Sequence, residues 1–302
     1  MGEIAITVNK TVARLAKFVL PVLVVLCLVA ALVYLASGYN IQLLNPKGTV
    51  AAQQRDLMFI AIGMMLLVVV PVFVMTFVIA WKYRASNVKA KYDPEWDHSR
   101  TAETLWWAIP FAIIAVLAGI TWVTSHSLDP YRPLASDTKP LRVQVVALQW
   151  KWLFLYPEQG IATVNHVEFP VNTPISFQIT SDAPMNSFWI PQLGGQIYAM
   201  SGMNTSLHLM AKDVGTYNGS SANISGKGFA GMKFTATAQT QAEFERWVGT
   251  IAQKNIPLSS DAYDHLSEPS ENVPPQYYSS YQDSLYDTII MKYMGHGGTH
   301  AY

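Results

Sequence analysis

RVQVVALQWKWLFLY, residues 142–156, sets apolar, β-branched and aromatic side chains at a period close to two, the spacing of a β-strand with one face turned to a core. The same pattern recurs in ATVNHVEFPV (162–171), ISFQIT (175–180) and MKFTATA (232–238). Asn-Thr-Pro, Leu-Gly-Gly and Asp-Val-Gly-Thr between these runs carry turn chemistry. Short strands with regular breaks over about 100 residues predict an all-β sandwich or Greek-key barrel. Downstream, QAEFERWVGTIAQ (241–253) changes to helical spacing, with Phe244, Trp247, Val248 and Ile251 on one face. A Pro/Ser/Tyr-rich linker then leads to DSLYDTIIMKYMGHG, a short amphipathic stretch expected to form a helix packed on a complex or a membrane surface.

Upstream, the composition changes. Only 13% of the 302 residues are charged and 51% are hydrophobic, against roughly 25% charged in a soluble domain. Three uncharged runs account for the difference: 18–37, 57–81 and 105–125. Each holds about 20 residues, enough to cross a hydrocarbon core about 30 Å thick. Pro71 and Pro110 interrupt the second and third runs, which membrane helices tolerate when neighbouring groups satisfy the freed carbonyl. Trp81, Tyr83, Trp106, Trp107 and Trp122 stand at the ends, where aromatic anchors meet the headgroups. The connection between the second and third runs carries Lys82, Arg84, Lys89, Lys91 and Arg100, while that between the first and second has Lys47 and Arg55. The positive-inside rule therefore places the former in the cytoplasm and everything beyond about residue 126 on the opposite side.

The first run reads as a retained helix or as a cleaved signal ending at Ala36 and Gly38. Four segments result: a hydrophobic segment at 1–38, a transmembrane hairpin at 39–126, an external β domain at 127–240 and a helical extension at 241–302. Net charge is zero and Lys and Arg form no long run, which argues against a nucleic-acid partner. The single cysteine, Cys27, lies in an apolar run and supplies neither a disulfide framework nor a thiolate metal site. His296 and His300 share an i, i+4 spacing in a Gly-rich tail, where solvation is the expected role.

WKYRAS (81–86), LQWKWLFLYPEQGIATVN (148–165), MNSFWIPQLGGQIYAMSGM (185–203) and SGKGFAGMKF (225–234), in this order and spacing, resemble subunit II of the bacterial cytochrome bo-type ubiquinol oxidases, members of the haem–copper terminal oxidases. The resemblance covers nearly the whole chain. It implies a cupredoxin-like sandwich in the periplasm, anchored in the inner membrane. The implied partners are subunits I, III and IV, with haem b, haem o and copper in subunit I, ubiquinol as the substrate of the complex, and membrane lipid around the helices.

In the cytochrome c-oxidising branch of that superfamily, the sandwich holds a dinuclear copper centre. Its ligands are a histidine ahead of an aromatic-Ile/Val-Pro segment and a loop of the form Cys-x-Glu-x-Cys-x₃-His-x₂-Met. On that pattern Asn186 stands at the first histidine, Ser221 and Ser225 at the cysteines, Asn223 at the glutamate and Phe229 at the second histidine, with Met232 alone unchanged. Soft bridging thiolates hold such a centre; a serine hydroxyl cannot take that role and phenylalanine has no lone pair. The expectation is a packed turn with no metal, no cofactor bound by this chain, and no catalytic residue in it.

The resemblance also bears on Glu103, in RTAETLWW. At the cytoplasmic start of the third run, a carboxylate is either simply solvated and favoured near a helix N-terminus, or, as in the family, at the mouth of a proton channel into subunit I. Trp150 and Trp152 occupy the place of the family's aromatic QWYW cluster and are expected to be strand-edge aromatics covering the core or packing on subunit I. Relatives often carry a lipid-modified cysteine where this chain has Tyr39, so that lipid anchor is expected to be missing. Two other readings stand beside the leading one: a cytochrome c oxidase subunit II with an altered copper centre, and a membrane-anchored cupredoxin-like binding or assembly protein outside respiration.

Overall fold

The computed structural model describes residues 41–294 apart from 92 and 94, together with Ala31 and Tyr34. The readings of the first apolar run, of Cys27 and Tyr39, and of His296 and His300 fall outside the described residues. The chain divides into residues 1–45 and 46–302. In the first unit, the backbone N–H groups of Leu44 and Asn45 both donate to Ile41 O, at 2.9 and 3.1 Å, closing a turn.

Within the second unit, α1 (Thr49–Lys82) and α2 (Arg100–Ser127) contain the second and third apolar runs, and the most apolar window of each is wholly unburied by the rest of the chain. Such faces are stable only against lipid or another protein. Thirty-four residues make α1 about 51 Å long at 1.5 Å of rise per residue, well beyond the hydrocarbon thickness. The surplus lies at its start. There the amide groups of Lys47 and Gly48 donate to Gln192 O at 2.7 and 2.9 Å, Thr49 N donates to Met210 O at 3.3 Å, and Ala51 N to Leu193 O at 3.1 Å. These bonds supply acceptors for amides that a helix end leaves without intrahelical partners, and they fasten the spanning helix directly to the β domain. Gly48 is obligatory here, because a Cβ would lie 2.5 Å from Leu193 O. At α2, the Ser99 hydroxyl caps the first turn by accepting from Ala102 N at 3.4 Å.

Two sheets form the domain. The strands of the first are β1 (Leu141–Leu148), β2 (Lys151–Tyr156), β3 (Ile161–Val164), β5 (Ile175–Ser181), β8 (Thr205–Leu209) and β12 (Gln276–Tyr278), in the order β12-β3-β2-β1-β5-β8. The second holds β4 (His166–Pro170), β6 (Asn186–Trp189), β7 (Ile197–Ala199), β9 (Gly215–Ser221) and β10 (Lys233–Gln239), in the order β4-β10-β9-β6-β7. Between them lies an aromatic core in which the Phe188 and Phe234 rings stack at 5.0 Å and Trp152 meets Phe188 edge-on at 5.3 Å.

Two runs expected to be single strands are each two. Residues 142–156 fold back as the antiparallel pair β1–β2, with Leu148 opposite Lys151 and Trp150 in the left-handed region at φ 65°. Residues 162–171 break at Asn165, φ 54°, so that β3 stays in the first sheet and β4 crosses to the second. The Asn165 side chain holds this corner, accepting from Trp152 N at 2.8 Å and donating to Val273 O at 2.8 Å. Trp152 is fully buried in the core rather than at a strand edge, and the strand-edge reading is corrected for it.

The region beyond β10 is more than a linker and two helices. After α3 (Gln241–Ala252), whose first turn is closed by a Thr240–Glu243 capping box, come α4 (Ser260–Ser267), the edge strand β12, and α5 (Leu285–Met294). Two-residue strands β11 (Pro257–Leu258) and β13 (Ser280–Tyr281) pair in parallel. This segment lays Leu258, Tyr263, Leu266, Leu285, Tyr286 and Ile289 over the outer face of the first sheet, against Val146, Leu153, Leu155 and Val164. All six residues of β2 are buried as a result, which explains why strict alternation is lost there. Lys151 is buried with them. Its ammonium donates to Glu268 O at 2.7 Å and to Ser270 Oγ, and desolvation holds its pKa below the usual lysine value.

Candidate functional site

Six positions carry the copper-ligand comparison, and the structure brings some of them together. Asn186 opens β6 and Ser221 ends β9, which neighbour each other in the second sheet, so both side chains lie at the same end of it. Both are buried. The Ser221 hydroxyl lies 3.1 Å from Asn186 Oδ1 and 3.2 Å from Asn223 O, with one proton to give, and it accepts from Ser187 N at 3.4 Å. Asn186 uses its amide nitrogen on Pro184 O at 2.7 Å, and Asn223 uses its own on Met185 O at 2.9 Å. Ser221 N donates to Met232 O at 3.1 Å, and the Met232 side chain is buried in the core.

Ser225 and Phe229 do other work. Ser225 O accepts from the Trp150 indole at 3.1 Å, while its hydroxyl is buried without a hydrogen-bond partner among the described residues. Phe229 starts a 3₁₀ turn, Phe229–Gly231, with its amide donating to Gly226 O at 3.2 Å. Trp150 lies across this loop, and a Cβ on Gly228 would approach to 2.3 Å of its ring. The left-handed Trp150 is therefore held by its indole bond and by a glycine that leaves room for it.

These donors do not suit a dinuclear copper centre. Such a centre needs thiolate bridges and imidazole nitrogens; here the corresponding groups are the Ser221 hydroxyl bonded to the Asn186 carboxamide, the Asn223 carboxamide bonded to backbone, one orphaned hydroxyl, a hydrocarbon ring, and the Met232 thioether packed in the core, a weak ligand alone. The arrangement can tie β6, β9 and the loop into one polar knot, and no electron-transfer step follows from it.

Glu103 lies in the first turn of α2, 24 residues from its last residue, hence about 36 Å from that end of the helix. Its carboxylate reaches His98 Nδ1 at 2.5 Å, with both side chains partly exposed. The helix N-terminus favours a negative charge at this position.

Sequence reasoning missed a third cluster. Asp182, in the loop after β5, has a side chain only 1% exposed. Its carboxylate accepts from Tyr263 Oη at 2.7 Å, Lys292 Nζ at 2.7 Å and Tyr293 Oη at 2.6 Å, so residues from α4 and α5 converge on it. The bond to Asp182 raises the Lys292 pKa, and burial first, then the bond to Asp182, drives that of Tyr263 far up. The Ser-Asp-Ala-Pro context reads as a turn, so periodicity gave no sign of it.

Residues 158–238 match the family model for the cytochrome c oxidase subunit II periplasmic domain, and residues 252–297 match the COX aromatic-rich motif. The second match coincides with the segment that covers the outer face of the first sheet. The chain is 55% identical to the cytochrome bo(3) ubiquinol oxidase subunit 2 of Pseudomonas putida, over 86% of this chain and 83% of that protein. It is 50% identical to the ubiquinol oxidase subunit 2 of Acetobacter aceti, over 86% and 85%. To the quinol oxidase subunit 2 of Bacillus subtilis (strain 168) it is 40% identical, over 91% and 84%. Two helices of spanning length followed by a cupredoxin-like sandwich of the periplasmic type make it an inner-membrane protein with its β domain on the periplasmic side. With this identity sustained over most of both chains, the protein belongs to the family of subunit 2 of the bacterial cytochrome bo-type ubiquinol oxidases, within the haem–copper terminal oxidases.

Proposed function

We propose that this chain is the non-catalytic second subunit of a proton-pumping oxidase that reduces O₂ to water with electrons from ubiquinol, and that it carries no redox centre of its own. One observation supports this above the others: the Ser221 hydroxyl, at a position where the copper-bearing branch has a cysteine, lies within hydrogen-bond distance of Asn186 at a histidine position. Electrons from a soluble cytochrome would find no acceptor in this sandwich. A quinol in the bilayer can instead deliver them directly to the subunit that holds haem b, haem o and copper. In this reading, residues 127–240 form a copper-free periplasmic domain and residues 241–302 its cover. The chain supports assembly and shields the outer face of subunit I, with subunits III and IV completing the complex. Glu103, at the cytoplasmic end of α2 and paired with His98, serves proton uptake into subunit I.

The test is to purify the complex in mild detergent and assay ubiquinol and reduced cytochrome c as donors on one sample. Ubiquinol oxidation without cytochrome c oxidation is expected. Cytochrome c oxidation without ubiquinol oxidation would overturn the reading in favour of an altered cytochrome c oxidase, and the absence of any co-purifying haem subunit would favour an assembly protein outside respiration.

A further inference from the structure

At the periplasmic end of the hairpin, a cleft of about 330 Å³ with a mixed polar and apolar lining adjoins an apolar trough of about 380 Å³. Gln54 on α1 and Leu128 at the end of α2 line both, so the two hollows lie side by side. The cleft carries one group of each charge, Arg132 and Asp129. Arg132 N donates to Asp129 O at 3.0 Å and Tyr131 N donates to Asp129 Oδ1 at 2.9 Å, which sets both side chains on a single turn. Neither side chain enters an ion pair among the described residues. The turn is itself anchored, because His208 Nδ1 lies 3.0 Å from Pro130 O.

The trough has the dimensions of one leaflet. It follows α1 from Gln54 to Ala61 and α2 from Leu117 to Leu128, about 10 and 16 Å at 1.5 Å per residue, against a hydrocarbon core about 30 Å thick. That extent matches an acyl chain of one leaflet. In the adjoining cleft, the Arg132 guanidinium matches a phosphate and the Asp129 carboxylate matches a primary ammonium that can donate hydrogen bonds to it.

We propose that this surface is a binding site for a zwitterionic glycerophospholipid of the periplasmic leaflet. Its phosphate rests on Arg132, its ethanolamine ammonium on Asp129, and one acyl chain in the trough between α1 and α2. The lipid fills the hollow where the membrane hairpin meets the β domain. A net anionic headgroup is disfavoured by Asp129, and a choline headgroup has no N–H to give it.

The experiment uses the whole complex, stripped of lipid in detergent and checked for haem content. Native mass spectrometry then follows rebinding of phosphatidylethanolamine, phosphatidylcholine and phosphatidylglycerol of equal chain length. Wild type is expected to retain phosphatidylethanolamine best. Arg132→Ala should weaken its binding about fivefold, the effect of one basic side chain at a membrane surface, with Arg132→Lys recovering part of the loss. Asp129→Asn should remove the preference over phosphatidylglycerol. Equal binding by wild type and Arg132→Ala, a preference of wild type for phosphatidylglycerol, or a neighbouring subunit's helix lying in the trough would each overturn the proposal.

Discussion

Replacing Asp182 by Asn tests how the C-terminal cover is held. The substitution keeps shape and acceptor oxygen but removes the charge, so three bonds, from Tyr263, Lys292 and Tyr293, lose their charge assistance. A bond to a charged group contributes about 1.5–3 kcal/mol and a neutral one about 0.5–1.5, a loss of about 1 kcal/mol for each tyrosine. The Lys292 side chain is 57% exposed, so its share is that of a surface pair, at most about 1 kcal/mol. The total is about 2–3 kcal/mol, which raises local opening about 30- to 150-fold at 1.36 kcal/mol per decade. Hydrogen exchange on the detergent-purified complex reads this directly at residues 285–294, with β1 and β5 as internal controls. Unchanged protection across α5 in Asp182→Asn would refute the clamp. Equal loss in α5 and in the core strands would show that the carboxylate supports the whole sandwich instead.

The same cluster has a pH dependence. Lys292 is raised above its free value, so its contribution is complete below that value and is lost as pH rises through the raised one. Tyr263 is raised as well, so above pH 10 the undocked phenol ionises while the docked one resists. Both signs predict weaker docking of α4 and α5 above about pH 10 and none of this loss between pH 6 and 9, read by the same exchange experiment. Gly228→Ala places a methyl group 2.3 Å from the Trp150 ring; overpacking of about 1–3 kcal/mol should follow, seen as a shift in tryptophan emission and faster proteolysis of the 222–232 loop. Glu103→Gln is expected to slow turnover and proton uptake with haem content and assembly unchanged, and wild-type rates would remove Glu103 from the proton path.

Much of this architecture is legible in the sequence because its signals are local. Uncharged runs of spanning length mark α1 and α2, and the Phe244–Ile251 stripe marks α3. Failures occur where tertiary contacts override periodicity. The β1–β2 reversal is invisible because Trp150 adopts a left-handed backbone that only its indole bond to Ser225 and the open face of Gly228 make tolerable. Asn165 hides the sheet change in the same way, since its side chain rather than a Gly or Pro makes the corner. β9, with Gly-Thr-Tyr-Asn-Gly-Ser-Ser, has only Thr216 and Tyr217 as β-forming residues among glycines, serines and an asparagine, and β6 and β10 pair with it on either side. β12 and α4 were hidden in a stretch rich in Pro, Ser and Tyr, whose burial depends on the outer face of a sheet formed about 120 residues earlier in the chain. At the copper-ligand positions the family resemblance supplied the residues but not their partners. That Ser221 and Asn186 meet while the Ser225 carbonyl receives the Trp150 indole follows from strand neighbours no linear reading supplies.

In the proposed reading, the Asn186–Ser221–Asn223 knot stands where a copper centre would otherwise sit, and no electron enters through this domain. Its most direct test is to separate the subunits of the purified, copper-replete complex and measure the metal that remains with this chain. None above background is expected, with all copper following the haem subunit. Stoichiometric copper staying with this chain, and lost on Met232→Leu, would contradict it.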